Sequence, residues 1–355
     1  MAADAKWNDW HWQLERARHC GEFAGEAVRG ESFGFPVVTT PYYWSLVEAG
    51  DPADPIRRMI APCEEERRAG PSLTDDPIRE EAHAAMPGLI RRYPDRALVL
   101  VNGECAVHCR HCTRRILGRG SVAPVRGEAL DGALAYIAAN PEIRDVILSG
   151  GDPMLLEDDE LGEIVAKVRA ISSVQIIRVH TRVPVALPMR VTRALGRLLA
   201  ARGPLYVNTQ FNHPRELTKE ALRAVSHLVD AGIPVGNQSV LLAGVNDRED
   251  VMEALLRGLL AARVRPYYLF SCDLVAGTEH FRVPLAHAFA IMKHLRGRLS
   301  GLGIPQLVVD LPGGLGKVPL GPSYLVSADA ENCVLRAPNG ELVDYPDASL
   351  RGRVG

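Results

Sequence analysis

The 355-residue chain has almost no excess of charge: 41 lysines and arginines stand against 43 aspartates and glutamates, a formal net charge of −2. Bulk electrostatics therefore gives no drive toward nucleic acid or an anionic membrane surface. No run of about 18 consecutive apolar residues occurs, so no membrane-crossing helix is expected. The first residues, Met1-Ala-Ala-Asp-Ala-Lys-Trp7, lack a basic stretch followed by an apolar one, and no secretory leader is expected. Internal repeats and low-complexity segments are also missing. Cysteine is sparse, and four of the seven, Cys20, Cys63, Cys272 and Cys333, are scattered over the chain. A chain of this length buries a large core without covalent staples, and free thiols suit a reducing compartment, the cytoplasm.

The other three cysteines stand together in Cys105-Ala-Val-His-Cys109-Arg-His-Cys112-Thr-Arg-Arg115, directly after the apolar run Ala97-Leu-Val-Leu-Val-Asn102. Three thiolates on a short loop can hold three irons of a [4Fe-4S] cluster and leave the fourth without a protein ligand. An electron carrier normally supplies four cysteines, so the open iron suggests a bound substrate or cofactor, with S-adenosylmethionine the candidate. From the residues alone, a zinc site completed by His108 or His111 is the alternative.

Residues 1–95 are rich in helix formers and charge, with turn signals at Gly50-Asp-Pro52 and Ala69-Gly-Pro71. They read as a helical cap, opened by a helix that Asn8 or Asp9 caps and that runs to about Cys20. From Arg96 the pattern changes to short apolar strands, expected at Ala97–Val101, Asp145–Leu148, Val174–Arg178, Leu205–Val207, Pro234–Gly236, Val264–Phe270 and Gln306–Val309. Helical stretches such as Gly127–Ala139, Asp159–Ala170 and Lys219–Ala231 separate them. Strands alternating with helices predict parallel βα units closing into a full or partial barrel, whose chemistry sits where strands end. Near the carboxyl end, Cys333–Val343 reads as a hairpin turning at Asn339-Gly340.

The unusual polar motifs fall at those strand ends. Ser149-Gly150-Gly151-Asp152 is a turn in which two glycines let backbone come close to a ligand. Asn208-Thr-Gln210-Phe-Asn-His-Pro214 and Gly236-Asn-Gln238-Ser239 follow strands, as do Asp273 and Asp310. Leu311-Pro-Gly-Gly-Leu-Gly-Lys317 is a glycine-rich turn that could present one lysine to a barrel mouth. Arg114, two residues past the last clustered thiol, is placed to pair with a carboxylate through a forked contact.

Taken together, these residues resemble a known family. CxxxCxxC after a strand resembles the signature of the radical S-adenosylmethionine superfamily, and the flanking Arg110-His111 and Thr113-Arg114-Arg115 narrow the likeness to the lysine 2,3-aminomutase family. Trp7-Asn-Asp-Trp10-His-Trp12-Gln13, Pro41-Tyr-Tyr43 and Asp54-Pro-Ile-Arg57 carry the resemblance back to the start of the chain. It implies an α/β fold, a radical-SAM-type partial (β/α) barrel at 96–317, with an N-terminal helical extension at 1–95 and a short C-terminal segment at 318–355.

The resemblance also implies three cofactors: a [4Fe-4S] cluster on Cys105, Cys109 and Cys112; S-adenosylmethionine against Ser149, Gly150, Gly151, Asp152, Gln210 and Gln238; and pyridoxal 5'-phosphate on Lys317. Most members carry histidine where Gln210 stands. The lysine motif resembles the family's PGGGGK, with Leu315 replacing a glycine, and Arg91-Arg92-Tyr93-Pro-Asp-Arg96 resembles the HRYPDR stretch that approaches pyridoxal phosphate. Arg114 would take the substrate's α-carboxylate, and Asp273 and Asp310 match the aspartates that receive the side-chain ammonium in lysine-specific members.

The implied reaction is an isomerisation, L-lysine to β-lysine, with the α-nitrogen migrating to Cβ under a 5'-deoxyadenosyl radical. L-arginine is the alternative substrate, and the lysine mutase serving elongation factor P, whose cluster loop reads CRYCFRR, is another reading. Many members continue into a zinc-binding cysteine-rich tail. Those cysteines are missing here, as is one in Gly244–Asp250, so a homo-oligomer without zinc is expected, a dimer by preference. The implied partners are an amino acid and an external one-electron reductant of the flavodoxin or ferredoxin type.

Overall fold

The computed structural model describes residues 6–25, 33–68, 70, 72–115, 124–329 and 332–346. The leaderless reading of the amino-terminus rests partly on residues 1–5, and the 69–71 turn signal on residues 69 and 71, all outside that set.

The first helices start where capping chemistry dictates. Helix α1 (Trp10–Ala17) is capped by Asp9, whose Oδ1 accepts from the backbone N–H of His11 at 2.9 Å and of Trp12 at 3.3 Å. Helices α2 (Pro41–Trp44) and α3 (Pro55–Ile60) each place proline in the first turn, where no N–H is needed, behind the side-chain caps Thr40 and Asp54.

Ten strands form one sheet in chain order. The seven strands β3 (Arg96–Asn102), β4 (Asp145–Gly150), β5 (Ile176–His180), β6 (Leu205–Thr209), β7 (Val235–Leu241), β8 (Arg265–Ser271) and β9 (Gln306–Leu311) are parallel throughout. Helices α4 (Glu128–Ala139), α5 (Asp158–Arg169), α6 (Arg193–Ala200), α7 (Lys219–Val229), α8 (Glu249–Ala261) and α9 (Leu285–Leu295) connect them. In α7, the buried Ala221, Ala224, Val225 and Leu228 fall at the three- and four-residue spacing of one helix face, and Thr218 caps the start. This is the partial (β/α) barrel expected.

Antiparallel strands flank the parallel set: β1 (Ala84–Met86) and β2 (Leu89–Tyr93) beside β3, and β10 (Gly316–Leu320) beside β9. Ala84–Met86 and Leu89–Tyr93 are therefore strands, which corrects the reading of 1–95 as a helical cap at its carboxyl end. Backbone pairing of β2 with β3 overrides the charge pattern of Arg91-Arg92. The amino-terminal stretch also shares the central core, where Tyr43, Ile56 and Met59 pack in one apolar cluster with Val99, Leu148 and Val207. A separate sheet of β11 (Leu325–Ala328), β12 (Asn332–Arg336) and β13 (Leu342–Pro346) contains the expected hairpin, turning through Gly340 at φ 95°. Among the described residues, no helix is long and apolar enough to cross a membrane.

Candidate active site

The sequence-predicted residues converge. Cys105, Cys109, Cys112, Ser149, Gly150, Gly151, Asp152, Gln210, Gln238, Arg92, Tyr93, Arg96, Arg114, Asp273, Asp310 and Lys317 all line one cavity of about 540 Å³ at the carboxyl ends of the parallel strands.

The cysteine loop is anchored from the amino-terminal segment. The Arg110 N–H donates to the Met59 carbonyl at 2.8 Å and that of His108 to the Val38 carbonyl at 2.9 Å. Arg110, wholly buried, gives Nε and Nη2 to the Glu66 carboxylate at 2.8 and 2.5 Å, and Arg115 adds Nη2 at 2.6 Å. Both guanidiniums lie over the Phe35 ring, 5.0 and 4.8 Å from its centre. Two cations on one carboxylate leave positive charge beside the thiols.

The three thiols interact with one another. Burial pushes Cys105 well above the usual thiol range, and neighbouring Cys112, Asp152 and Cys109 push it further; burial and then Cys109 hold Cys112 at about 11. Thiolates that raise one another in this way do not all ionise without positive charge between them, which the irons of a cluster would supply. The three residues fit a cluster. Among the described residues, no three of His, Cys, Asp or Glu converge on a single-ion site, whereas a cluster takes one thiolate on each of three irons. His111, the alternative zinc ligand, is held well below its usual range by burial and by Arg182 and Arg115, and its Nε2 faces the Asn212 amide at 3.3 Å.

At the next strand end, the glycines answer first to the chain itself. A Cβ on Gly150 (φ 125°) would collide with the Asn102 carbonyl, and one on Gly151 with the Glu104 carbonyl, so the turn can pass the cysteine strand only without side chains. Asp152 is committed inward. Its Oδ1 accepts from the Thr181 hydroxyl at 2.6 Å and the Met154 N–H at 3.0 Å, and its Oδ2 accepts from the Arg182 N–H at 2.7 Å. Burial raises this carboxyl to about 6 despite those donors.

Gly236–Ser239 lies inside β7, not after a strand, and Asn208 and Thr209 end β6. These polar strand residues replace ladder-edge water with their own bonds: Asn237 accepts from the Phe211 N–H at 2.7 Å and donates to the Phe211 carbonyl at 3.1 Å. Thr209 Oγ1 is buried without a hydrogen-bond partner on the wall of the cavity, an atom that a polar ligand such as S-adenosylmethionine can satisfy.

At the other end of the cavity, the two flanks of the sheet meet. Lys317 lies in β10, not in the turn before it, and its backbone N–H donates to the Tyr93 hydroxyl of β2 at 3.0 Å. Its ammonium donates to both oxygens of Asp310 at 2.9 and 2.7 Å, and Arg92 Nη2 reaches the same carboxylate at 3.0 Å. Arg92 and Arg96 lie 5.1 and 4.4 Å from the Tyr93 ring centre, and Arg92 Nη1 is buried without a partner. A lysine on the same wall as two guanidiniums, one with an unused donor, fits an aldehyde that carries a phosphate.

Asp273 accepts from the Thr113 hydroxyl at 2.5 Å. Burial and then the negative Asp310 raise it to about 6, so the two carboxylates act on the same space. Arg114 is already paired: its Nε and Nη2 grip Glu80 at 2.8 and 2.7 Å, and Nη1 lies 3.3 Å from the Ser149 hydroxyl. The sequence reading placed a substrate carboxylate in that fork, and here the chain's own Glu80 fills it. Glu66, Glu80 and Arg182 were not foreseen, since nothing in their local sequence marks them.

Comparison with known proteins agrees with this geometry. The family described as "Lysine-2,3-aminomutase" matches residues 292–351, and "Radical SAM superfamily" matches 99–256. The L-lysine 2,3-aminomutase of Clostridium subterminale is 42% identical over 97% of this chain and 85% of its own length. The chain belongs to the lysine 2,3-aminomutase family. Other relatives in the family include the L-lysine 2,3-aminomutase of Bacillus subtilis (strain 168), 41% identical over 97% of this chain and 75% of its own. The glutamate 2,3-aminomutase of Clostridioides difficile (strain 630) is 38% identical over 96% of this chain and 83% of its own.

Proposed function

We propose that the chain is an L-lysine 2,3-aminomutase, an isomerase that moves the α-amino group of L-lysine to Cβ to give β-lysine. The observation that carries this reading is the pair of carboxylates, Asp273 and Asp310, on the wall of the cavity that the three thiols also line. Asp310 is paired here with Lys317 and Arg92; once Lys317 carries an aldehyde its ammonium would be gone, and two neighbouring carboxylates left with Arg92 alone are costly. A distal ammonium satisfies them, whereas a distal carboxylate, as in the substrate of the glutamate relative, would be repelled.

When bound, the cluster and S-adenosylmethionine supply a 5'-deoxyadenosyl radical, and pyridoxal 5'-phosphate supplies the carbonyl carbon that carries the migrating nitrogen. Cys105, Cys109 and Cys112 would hold the cluster, and Ser149, Gly150, Gly151, Asp152, Gln210 and Gln238 would border the nucleoside cofactor. Lys317 would carry the aldehyde, with Arg92, Tyr93 and Arg96 around its phosphate. Arg114 orients the substrate's α-carboxylate once Glu80 yields the fork, and Asp273 and Asp310 fix the distal cation. The amino-terminal segment from Phe35 to Glu66, packed on the cysteine loop, keeps water from that end.

In this reading the protein works in the cytoplasm as a homo-oligomer, a dimer by preference, and takes single electrons from an external reductant. L-arginine is a second reading, favoured by one contact: Asp310 already accepts a guanidinium, that of Arg92. The test is anaerobic incubation of the iron-reconstituted protein with lysine labelled with 15N at Cα. Label recovered at Cβ of β-lysine supports the assignment, and its absence while arginine or glutamate is isomerised refutes it.

A further inference from the structure

Arg182, at the start of the loop after β5, points its guanidinium at the back of the cysteine loop. Its Nη1 donates to Cys109 Sγ at 2.6 Å. Nη2 donates to the Tyr43 hydroxyl at 2.8 Å and to Glu216 Oε1 at 2.7 Å, and Nε lies 3.3 Å from the Gln210 carbonyl. Arg182 is 8% exposed and Glu216 fully buried. Glu216 is itself fixed by the Tyr43 hydroxyl at 2.5 Å and by the backbone N–H groups of Asn212 and His213 at 2.5 and 2.9 Å. The fork therefore cannot swing away, because every edge of the guanidinium has a protein acceptor.

We propose that Arg182 is a positioning residue that sets the reduction potential of the cluster through Cys109, with Glu216 as its counterweight. The proposal rests on the reading that Cys105, Cys109 and Cys112 bind a [4Fe-4S] cluster. Reduction adds an electron to the cluster, and the added negative charge is stabilised by a fixed cationic donor on a ligating sulfur. In a buried site that attraction is little screened. Glu216 lies beyond the guanidinium and opposes the effect from a greater distance. Among the three thiols, only Cys109 accepts a side-chain guanidinium donor from the described residues. The arginine thus makes the chain's first electron transfer easier.

The experiment is a spectroelectrochemical titration of the anaerobically reconstituted protein, with iron counted in each variant. R182Q is expected to keep its iron and to titrate at a more negative potential, with about tenfold less reduced cluster at a fixed reductant, or about 59 mV for a one-electron couple. R182K, which keeps the charge, should recover part of that shift. E216Q should move the potential the opposite way, an opposition that a purely structural role does not produce; it also decides the question if R182Q fails to hold iron. Wild-type potentials in iron-loaded R182Q or E216Q overturn the proposal alone. A wild-type protein that binds no cluster overturns the cluster reading and the proposal with it.

Discussion

At the cysteine end of the cavity, Arg110 and Arg115 share the carboxylate of Glu66, and all three are buried. On the cavity wall, Asp310 holds Lys317 and Arg92, and Glu80 holds Arg114, with Lys317 and the Glu80–Arg114 pair partly exposed. The first set of charges is spent on the chain itself. Under the proposed function the second is paired with groups that ligands would replace: an amine that would take an aldehyde, and a carboxylate in the fork proposed for a substrate carboxylate. A frame that must not move and contacts that must exchange are thus built from the same residue types, and burial separates them.

The largest effects should come from the groups proposed to hold the cofactors. Alanine at Cys105, Cys109 or Cys112 should abolish both the cluster and cleavage of S-adenosylmethionine, and a variant with wild-type iron and activity would contradict the assignment. Lys317→Ala should lose the pyridoxal absorbance and the amino shift while still cleaving S-adenosylmethionine, because separate elements hold the two. Next comes the frame. Glu66→Gln strands two buried guanidiniums and should cost roughly 3–5 kcal/mol of folding stability, read by chemical denaturation, whereas Asp310→Asn should change stability far less. Equal losses in both variants would erase the contrast between the two ends.

A smaller effect is expected on turnover at the exchangeable end. Asp310→Asn removes one charge-assisted contact to the substrate cation, roughly 1.5–3 kcal/mol, so kcat/KM for lysine should fall about tenfold or more. The smallest effect is on pH. Asp273, raised to about 6 mainly by burial, is ionised above that value and attracts a cation; as pH falls through about 6 it protonates and the attraction is lost. The lysine kcat/KM of the wild type should therefore decline below about pH 6. Asp273→Asn should flatten that limb, and an unchanged profile would show that Asp152 or another group is titrating.

Much of this was legible in the sequence because its signals are local. The strand starting at Asp145 begins where expected, Asp9 caps its helix, and the three thiols stand on the loop after β3. What escaped was set by tertiary pairing. Strand β7 extends to Leu241 because Asn237 and Ser239 satisfy each other and Phe211, so polar residues that read as a loop continue the ladder. Leu89–Tyr93 became a strand by pairing with β3, and Ala84–Met86 by pairing with β2. Glu66 meets Arg110 across 44 positions and Arg182 meets Cys109 across 73, separations at which no periodicity or motif speaks.

The most direct test of the substrate assignment is the ratio of kcat/KM for L-lysine to that for L-glutamate, measured anaerobically on the reconstituted wild type. If Asp273 and Asp310 both face the distal group, the ratio should strongly favour lysine and collapse in Asp310→Asn. A wild type that prefers glutamate, or a ratio untouched by that substitution, would contradict the pairing of these carboxylates with a substrate cation.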